Sequence, residues 1–166
     1  MDIPEDTHIK IGAALPGDLP QLLALYQHLN SDDPLLPVDD TLHQHWQSIL
    51  NNDTLFYVVG RDGESVVSTC ALTIIPNLTR SARPYGLIEN VVTHPNYRKR
   101  GIGTQMLHYA LEFAWSQNCY KVMLLTGSKN EAVVRFYENA GFIRGEKTGF
   151  VARYPESQQK DRGHSV

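Results

Sequence analysis

Seven consecutive residues, Arg98-Lys99-Arg100-Gly101-Ile102-Gly103-Thr104, hold the most distinctive chemistry in this chain. An apolar run from Leu87 to Val92 leads into them through Thr93-His94-Pro95. Behind them Gly103, Met106, Leu107, Ala110, Leu111 and Ala114 recur at the i, i+3, i+4, i+7 spacing of a buried helix face. Strand, glycine turn and helix in that order form a cradle for an anion. The first amides of a helix have no intrahelical partner and sit at the positive end of its dipole. Two glycines let the backbone curl and let a ligand approach without meeting a Cβ. Three adjacent cations add charge, so the expected ligand is a di- or polyphosphate.

The glycine spacing narrows the choice. No G-x-x-x-x-G-K-[ST] run occurs, and the third position of a dinucleotide G-x-G-x-x-G is Met106. What remains is R-x-x-G-x-G at Arg98, Gly101 and Gly103. A second segment runs Asn130-Glu131-Ala132-Val133-Val134-Arg135-Phe136-Tyr137-Glu138-Asn139-Ala140-Gly141-Phe142. The first segment resembles the acetyl-CoA motif of the GCN5-related N-acetyltransferases, the GNAT superfamily. The second resembles the family's N-x-x-A-x-x-[FL]-Y-x-x-x-G-F pattern, offset at Val133 and Val134. Order and separation also match. The resemblance is strong from Leu55 to Phe150 and extends to the first fifty residues only in layout. A glycine turn alone is often just a turn, and a basic run just a solvated face; the two segments together favour function.

The resemblance implies acetyl transfer from acetyl-CoA directly to a primary amine of a small molecule or peptide. It implies cosubstrate contacts at Val91, Val92, Thr93, Arg98, Lys99, Arg100, Gly101, Ile102, Gly103, Thr104, Asn130 and Tyr137. An amine attacks a thioester only as the neutral base, yet an alkyl amine of pKa about 10 is mostly protonated at neutral pH. The reaction needs a proton acceptor, an oxyanion donor and an acid for the departing thiolate. By family analogy, amides near Val91 and Val92 hold the oxyanion, and Tyr137 faces the sulfur as general acid; spacing alone equally allows a core tyrosine. Glu89 is the candidate base, because a carboxylate in an apolar strand is costly to bury unless paired or functional. Its other reading is a solvated strand residue. Asn130 is a cosubstrate contact, a helix N-cap, or both. A catalytically silent acyl-CoA-binding regulatory module is the alternative function.

The acceptor is less defined. Asp32, Asp33, Asp39 and Asp40 crowd a loop that would suit a cationic amine, whereas Arg80 and Arg83 would suit a carboxylate or phosphate. His43 and His45, two apart on a helix, point to nearly opposite faces, so no metal is expected. Cys70 and Cys119 lie in apolar-patterned surroundings and read as reduced core thiols, not nucleophiles or a disulfide.

These residues need a scaffold, and 166 residues suffice for one domain. A 42% hydrophobic and 20% charged composition is that of a globular chain. A net charge of -3 argues against nucleic acid as partner. No apolar run has membrane-spanning length and the polar Met1–Asp6 start is no signal peptide, so no membrane partner and a cytoplasmic setting are expected. The partners are then acetyl-CoA and an amine, with homodimerisation possible by family analogy.

Periodicity predicts a strand at His8–Ala14, a helix from Leu19 to Asn30, a loop, and a helix carrying Leu42, Trp46, Ile49 and Leu50. Strands follow at Leu55–Val59 and Val66–Ile75, joined by a turn at Asp62-Gly63. Then come a polar loop, the central strand and helix, a strand at Lys121–Thr126, a helix at Asn130–Ala140, and a closing hairpin from Phe142 to Tyr154. The fold class is α/β (α+β), a mixed sheet with helices on both faces; the resemblance adds that the sheet is splayed at its centre. Residues 1–154 read as one domain and 155–166 as a flexible tail.

Overall fold

The computed structural model describes residues 8–154. Five strands form one sheet in sequential order: β1 (Ile9–Ala13), β2 (Leu55–Asp62), β3 (Ser65–Ile75), β4 (Tyr85–Thr93) and β5 (Val122–Leu124). The first four pair antiparallel; β4 and β5 pair parallel. The tight Gly63-Glu64 turn joins β2 to β3, and Gly63 has φ +58, where a side chain would be strained.

Both faces are covered. Val58 and Val59 are neighbours in β2, yet they belong to two different cores because a pleated strand alternates sides. On one side, helices α1 (Leu19–Tyr26) and α2 (Asp40–Leu50) bury Leu19, Leu22, Leu25 and Trp46 against Val59, Val66 and Val92. On the other, α4 (Ile102–Ser116) buries Met106, Leu107, Ala110 and Ala114 against Cys70, Leu72 and Ile88. Of the stripe expected on this helix these four residues are buried, while Gly103 and Leu111 are half-buried.

Polar clamps fix α1. Asp18 is buried, accepts from the Leu15 amide at 2.6 Å, and takes both guanidinium nitrogens of Arg61 on β2. Burial alone would raise the Asp18 carboxyl. The Arg61 hydrogen bond, the Leu15 amide and the Arg61 charge outweigh it, so the net shift is downward. Gln21 accepts from the Val66 amide and donates to the Glu64 carbonyl, tying α1 to the β2–β3 hairpin. Asp39 caps α2 by accepting from the Leu42 amide at 2.9 Å.

Four expectations need correction. Helix α1 ends at Tyr26, not Asn30, with turn hydrogen bonds from His28, Leu29 and Asn30. The polar loop after β3 contains one turn, α3 (Thr79–Ala82), in which Arg80, Ser81 and Ala82 have positive φ. Strand β5 is three residues long, where six were expected. The closing hairpin is not formed: no strand follows β5 among the described residues. Strand-forming residues need a paired neighbour to become strand. Ile143, Phe150 and Val151 instead stay exposed, and a Cβ on Gly149 would lie 2.7 Å from Leu125 Cδ2, so this segment lies against the end of β5. The expected tail, 155–166, lies outside the described residues, as does the Met1–Asp6 start.

Candidate active site

The site is built where β4 parts from β5. Their pairing covers only Gly86, Leu87 and Ile88 against Val122, Met123 and Leu124. From Glu89 to Thr93, β4 continues with no β5 partner beside it. Backbone amides and carbonyls are obligatory hydrogen-bonding groups, so this edge is ready to receive an extended ligand.

A bulge re-aims the same stretch. Thr69 pairs with Val92 and Ala71 with Glu89, so two steps on β3 face three on β4. The extra residue brings Ile88 and Val91, three apart, to the same α4-side core. Val92 turns to the α1 side. Asn90 provides the bend with φ +54, a conformation that asparagine tolerates better than most residues. The motif search missed Asn90; an asparagine inside an apolar run was the available signal. Beneath the bulge, the fully buried Ser68 hydroxyl donates to the Val92 carbonyl at 3.1 Å and lies 2.8 Å from the Thr93 hydroxyl. Thr69 donates to the Val58 carbonyl. These bonds hold the end of β4 in place.

At that end, Gly101 is the N-cap of α4 with φ +77, and no side chain caps the helix. The helix amides therefore stay available, as expected for the cradle. The two glycines differ. Gly101 is required by its backbone angle. A Cβ on Gly103 would come within 3.1 Å of the Phe136 ring, so Gly103 is required by close packing of α4 on α5 (Glu131–Asn139). The missing Cβ at Gly103 thus serves close packing between the helices as well. Lys99 also has positive φ. Arg98 Nε donates back to the Thr93 carbonyl, and the Arg100 guanidinium stacks 5.3 Å from the Tyr97 ring. Ile102 is buried, whereas Thr104 is half-buried beside the helix start.

Tyr137 is a residue of α5. It packs beside Phe136 and Phe142 and is half-buried against the α4-side core. Burial raises its phenol above the ordinary value, and the nearby Glu89 carboxylate adds to the effect. The phenol is therefore held in its proton-bearing form, and Glu89 is close enough to be felt. Glu89 itself is exposed at the start of the bulge. Asn130 caps α5 by accepting from the Ala132 amide at 2.9 Å. The cysteines are buried and unpaired, and burial pushes the Cys70 thiol up to about 12. That is a poor nucleophile. Among the described residues no group of three or more potential metal ligands is gathered, and no helix is long and apolar enough to cross a membrane.

A cleft of about 420 Å³ opens on the α1 side of the bulge, between α1 and the loop that follows it, and reaches Asn90. Asp33 lines it. Asp39 is used as a helix cap, Asp40 lies in the first turn of α2 and Asp32 accepts from Ser31. Arg80 and Arg83 are elsewhere. They line a basic cleft with Lys121 at the other end of β4, and Arg83 donates to the Asn118 and Cys119 carbonyls.

Comparison with known proteins settles the family. The acetyltransferase (GNAT) family profile matches residues 22–142.

The chain belongs to the GNAT family.

A putative acetyltransferase from Agrobacterium tumefaciens is 47% identical with a TM-score of 0.83, covering 87% of this chain and 99% of that one. Glucosamine 6-phosphate N-acetyltransferase from Trypanosoma brucei brucei is 38% identical over 82 residues, 49% of this chain and 54% of that protein. The Schizosaccharomyces pombe protein of the same name is 34% identical over 95 residues, 56% of this chain and 83% of that one. The match thus spans about half the length of the Trypanosoma relative. GNAT membership agrees with the expected reaction class, acetyl transfer from acetyl-CoA to an amine. The match reaches α1, further toward the N-terminus than the sequence motifs alone.

Proposed function

We propose that this GNAT protein transfers an acetyl group from acetyl-CoA directly to a primary amine of a small molecule. The observation that carries the proposal is the unpaired edge of β4, with an uncapped helix at one end and a proton-bearing tyrosine alongside. The Gly101 to Thr104 amides and the neighbouring cations suit the pyrophosphate. The β4 edge at Val91 and Val92 suits the extended arm and the thioester oxygen. Thr93, Arg98, Lys99 and Arg100 flank this path, and Asn130 marks its far side at the start of α5.

The chemistry balances with groups of this chain. The amine nitrogen forms the new bond to the thioester carbon, and Glu89 accepts the amine proton through water. As the C–S bond breaks, the Tyr137 hydroxyl gives its proton to the departing sulfur. Neither thiol is needed, so no acyl-enzyme forms. The named relatives that acetylate glucosamine 6-phosphate support a small-molecule amine. Two buried unpaired cysteines support a cytoplasmic setting.

Tyr137→Phe is the test. Turnover should fall by about a hundredfold or more, the usual scale for losing a general acid, with CoA affinity held within about threefold. Equal turnover in the two proteins would remove Tyr137 from the mechanism. Acetyl-CoA binding without acetylation of any amine would favour the regulatory module.

A further inference from the structure

We infer that the acceptor is a primary amine on an apolar body with no anionic group, taken up in the cleft between α1 and the loop leading to α2. This rests on the acetyl-transfer reading above and names the substrate class for it. The cleft is lined by Leu23, Leu29, Leu35, Leu36 and Val38. Leu22 and Leu25 of the same helix are 1% and 3% exposed, whereas Leu35 is 79% exposed, Leu36 54% and Val38 47%. Apolar surface left in water gains free energy when a ligand covers it. A volume of about 420 Å³ is in the range of small-molecule sites.

One polar feature sets the chemistry further, and it is charge. Asp33 is the one charged residue lining the cleft among the described residues, and its carboxylate has no side-chain partner there. No lysine or arginine lines it. The Asp33 carboxylate attracts an ammonium ion from solution and opposes a phosphate or carboxylate on the same molecule. Asn90 lines the cleft too, and its chain neighbour is Glu89, the base that the acetyl-transfer reading requires beside the amine. A phosphorylated amino sugar, the acceptor of the named relatives, would meet apolar walls and a negative charge here. The basic cleft at the other end of β4 is too remote to hold its phosphate.

The experiment compares phenethylamine, phenylalanine, glucosamine and glucosamine 6-phosphate as acceptors by kcat/KM with acetyl-CoA. Binding of each to the CoA-loaded protein is measured in parallel by calorimetry. Phenethylamine should exceed phenylalanine and glucosamine 6-phosphate by about tenfold or more, the scale of one like-charge clash. Asp33→Asn should shrink the phenethylamine-to-phenylalanine ratio by about fivefold or more, while CoA affinity stays unchanged. Glucosamine 6-phosphate as the best acceptor, or a ratio indifferent to Asp33→Asn, would overturn the inference and leave the acetyl-transfer reading standing. If none is acetylated but phenethylamine alone binds, the inference holds for the cleft and the reaction fails.

Discussion

The two halves of this sheet are built to different standards. From β1 to β4 the strands pair antiparallel; β3 and β4 share seven paired positions, and β3 is almost wholly buried. From β4 to β5 there are three paired positions, and β5 contains no fully buried residue. The helices above them differ in the same way. Five residues of α4 are buried, and none of α5. The antiparallel half is a filled core. The parallel half keeps a seam, and the groups proposed above for the thioester chemistry are those beside it. Dense packing makes the reference frame, and the unfilled seam leaves the room that the proposed chemistry needs.

The sharpest way to break this contrast is a truncation on each side. Leu72→Ala, in the filled half, should cost about 3 kcal/mol in chemical denaturation, the usual scale for a buried leucine. Val133→Ala, on the half-buried face of α5, should cost about 1 kcal/mol or less, because surface atoms leave little cavity. Equal costs would show that the two halves are packed alike. Next in size is the bulge between them. Asn90→Gly should keep stability and turnover, whereas Asn90→Val should lose about 1–2 kcal/mol, because a β-branched residue is strained at φ +54. An Asn90→Val protein as stable as the parent would mean that the bend is not held.

Two pH effects sharpen the same comparison. Tyr137 beside the seam has its phenol raised above 10.0, so it remains an acid in the alkaline range. The turnover profile should show no loss assigned to Tyr137 below the ordinary phenol value; a limb below pH 10 that vanishes in Tyr137→Phe would contradict the placement. Smallest in reach is Asp18 in the filled half. Its folded pKa lies below the ordinary 3.8, so its contribution is complete above that value and disappears as pH falls through the folded pKa. Urea titrations below pH 3.8 should therefore lose a component that Asp18→Asn lacks. An identical acid dependence in both proteins would dismiss the clamp.

The family motifs were more legible than the local architecture around them. Gly101 could be read because its left-handed angle leaves few other residues possible, and the α4 stripe because burial imposes a period. Tyr137 could be located by its motif, and the structure adds the burial that keeps it protonated. Asn90 was not legible, because a bulge is defined by register against a second strand and not by its own residue type. The Asp18–Arg61 pair joins residues 43 apart, a distance no local pattern reports. The closing hairpin failed for the converse reason. Phe150 and Val151 have strand character, but strand character without an adjacent edge yields only a chain lying on the surface.

The loop after α1 has one further consequence. Its leucines and Val38 support no core, whereas the clamps from Asp18, Arg61 and Gln21 secure the helix before it. Mutations in that loop can therefore accumulate without endangering folding or the grip on the coenzyme. On the acceptor reading proposed above, descendants of this chain are free to change clientele by altering a few exposed side chains, while the acetyl-delivering parts are inherited intact.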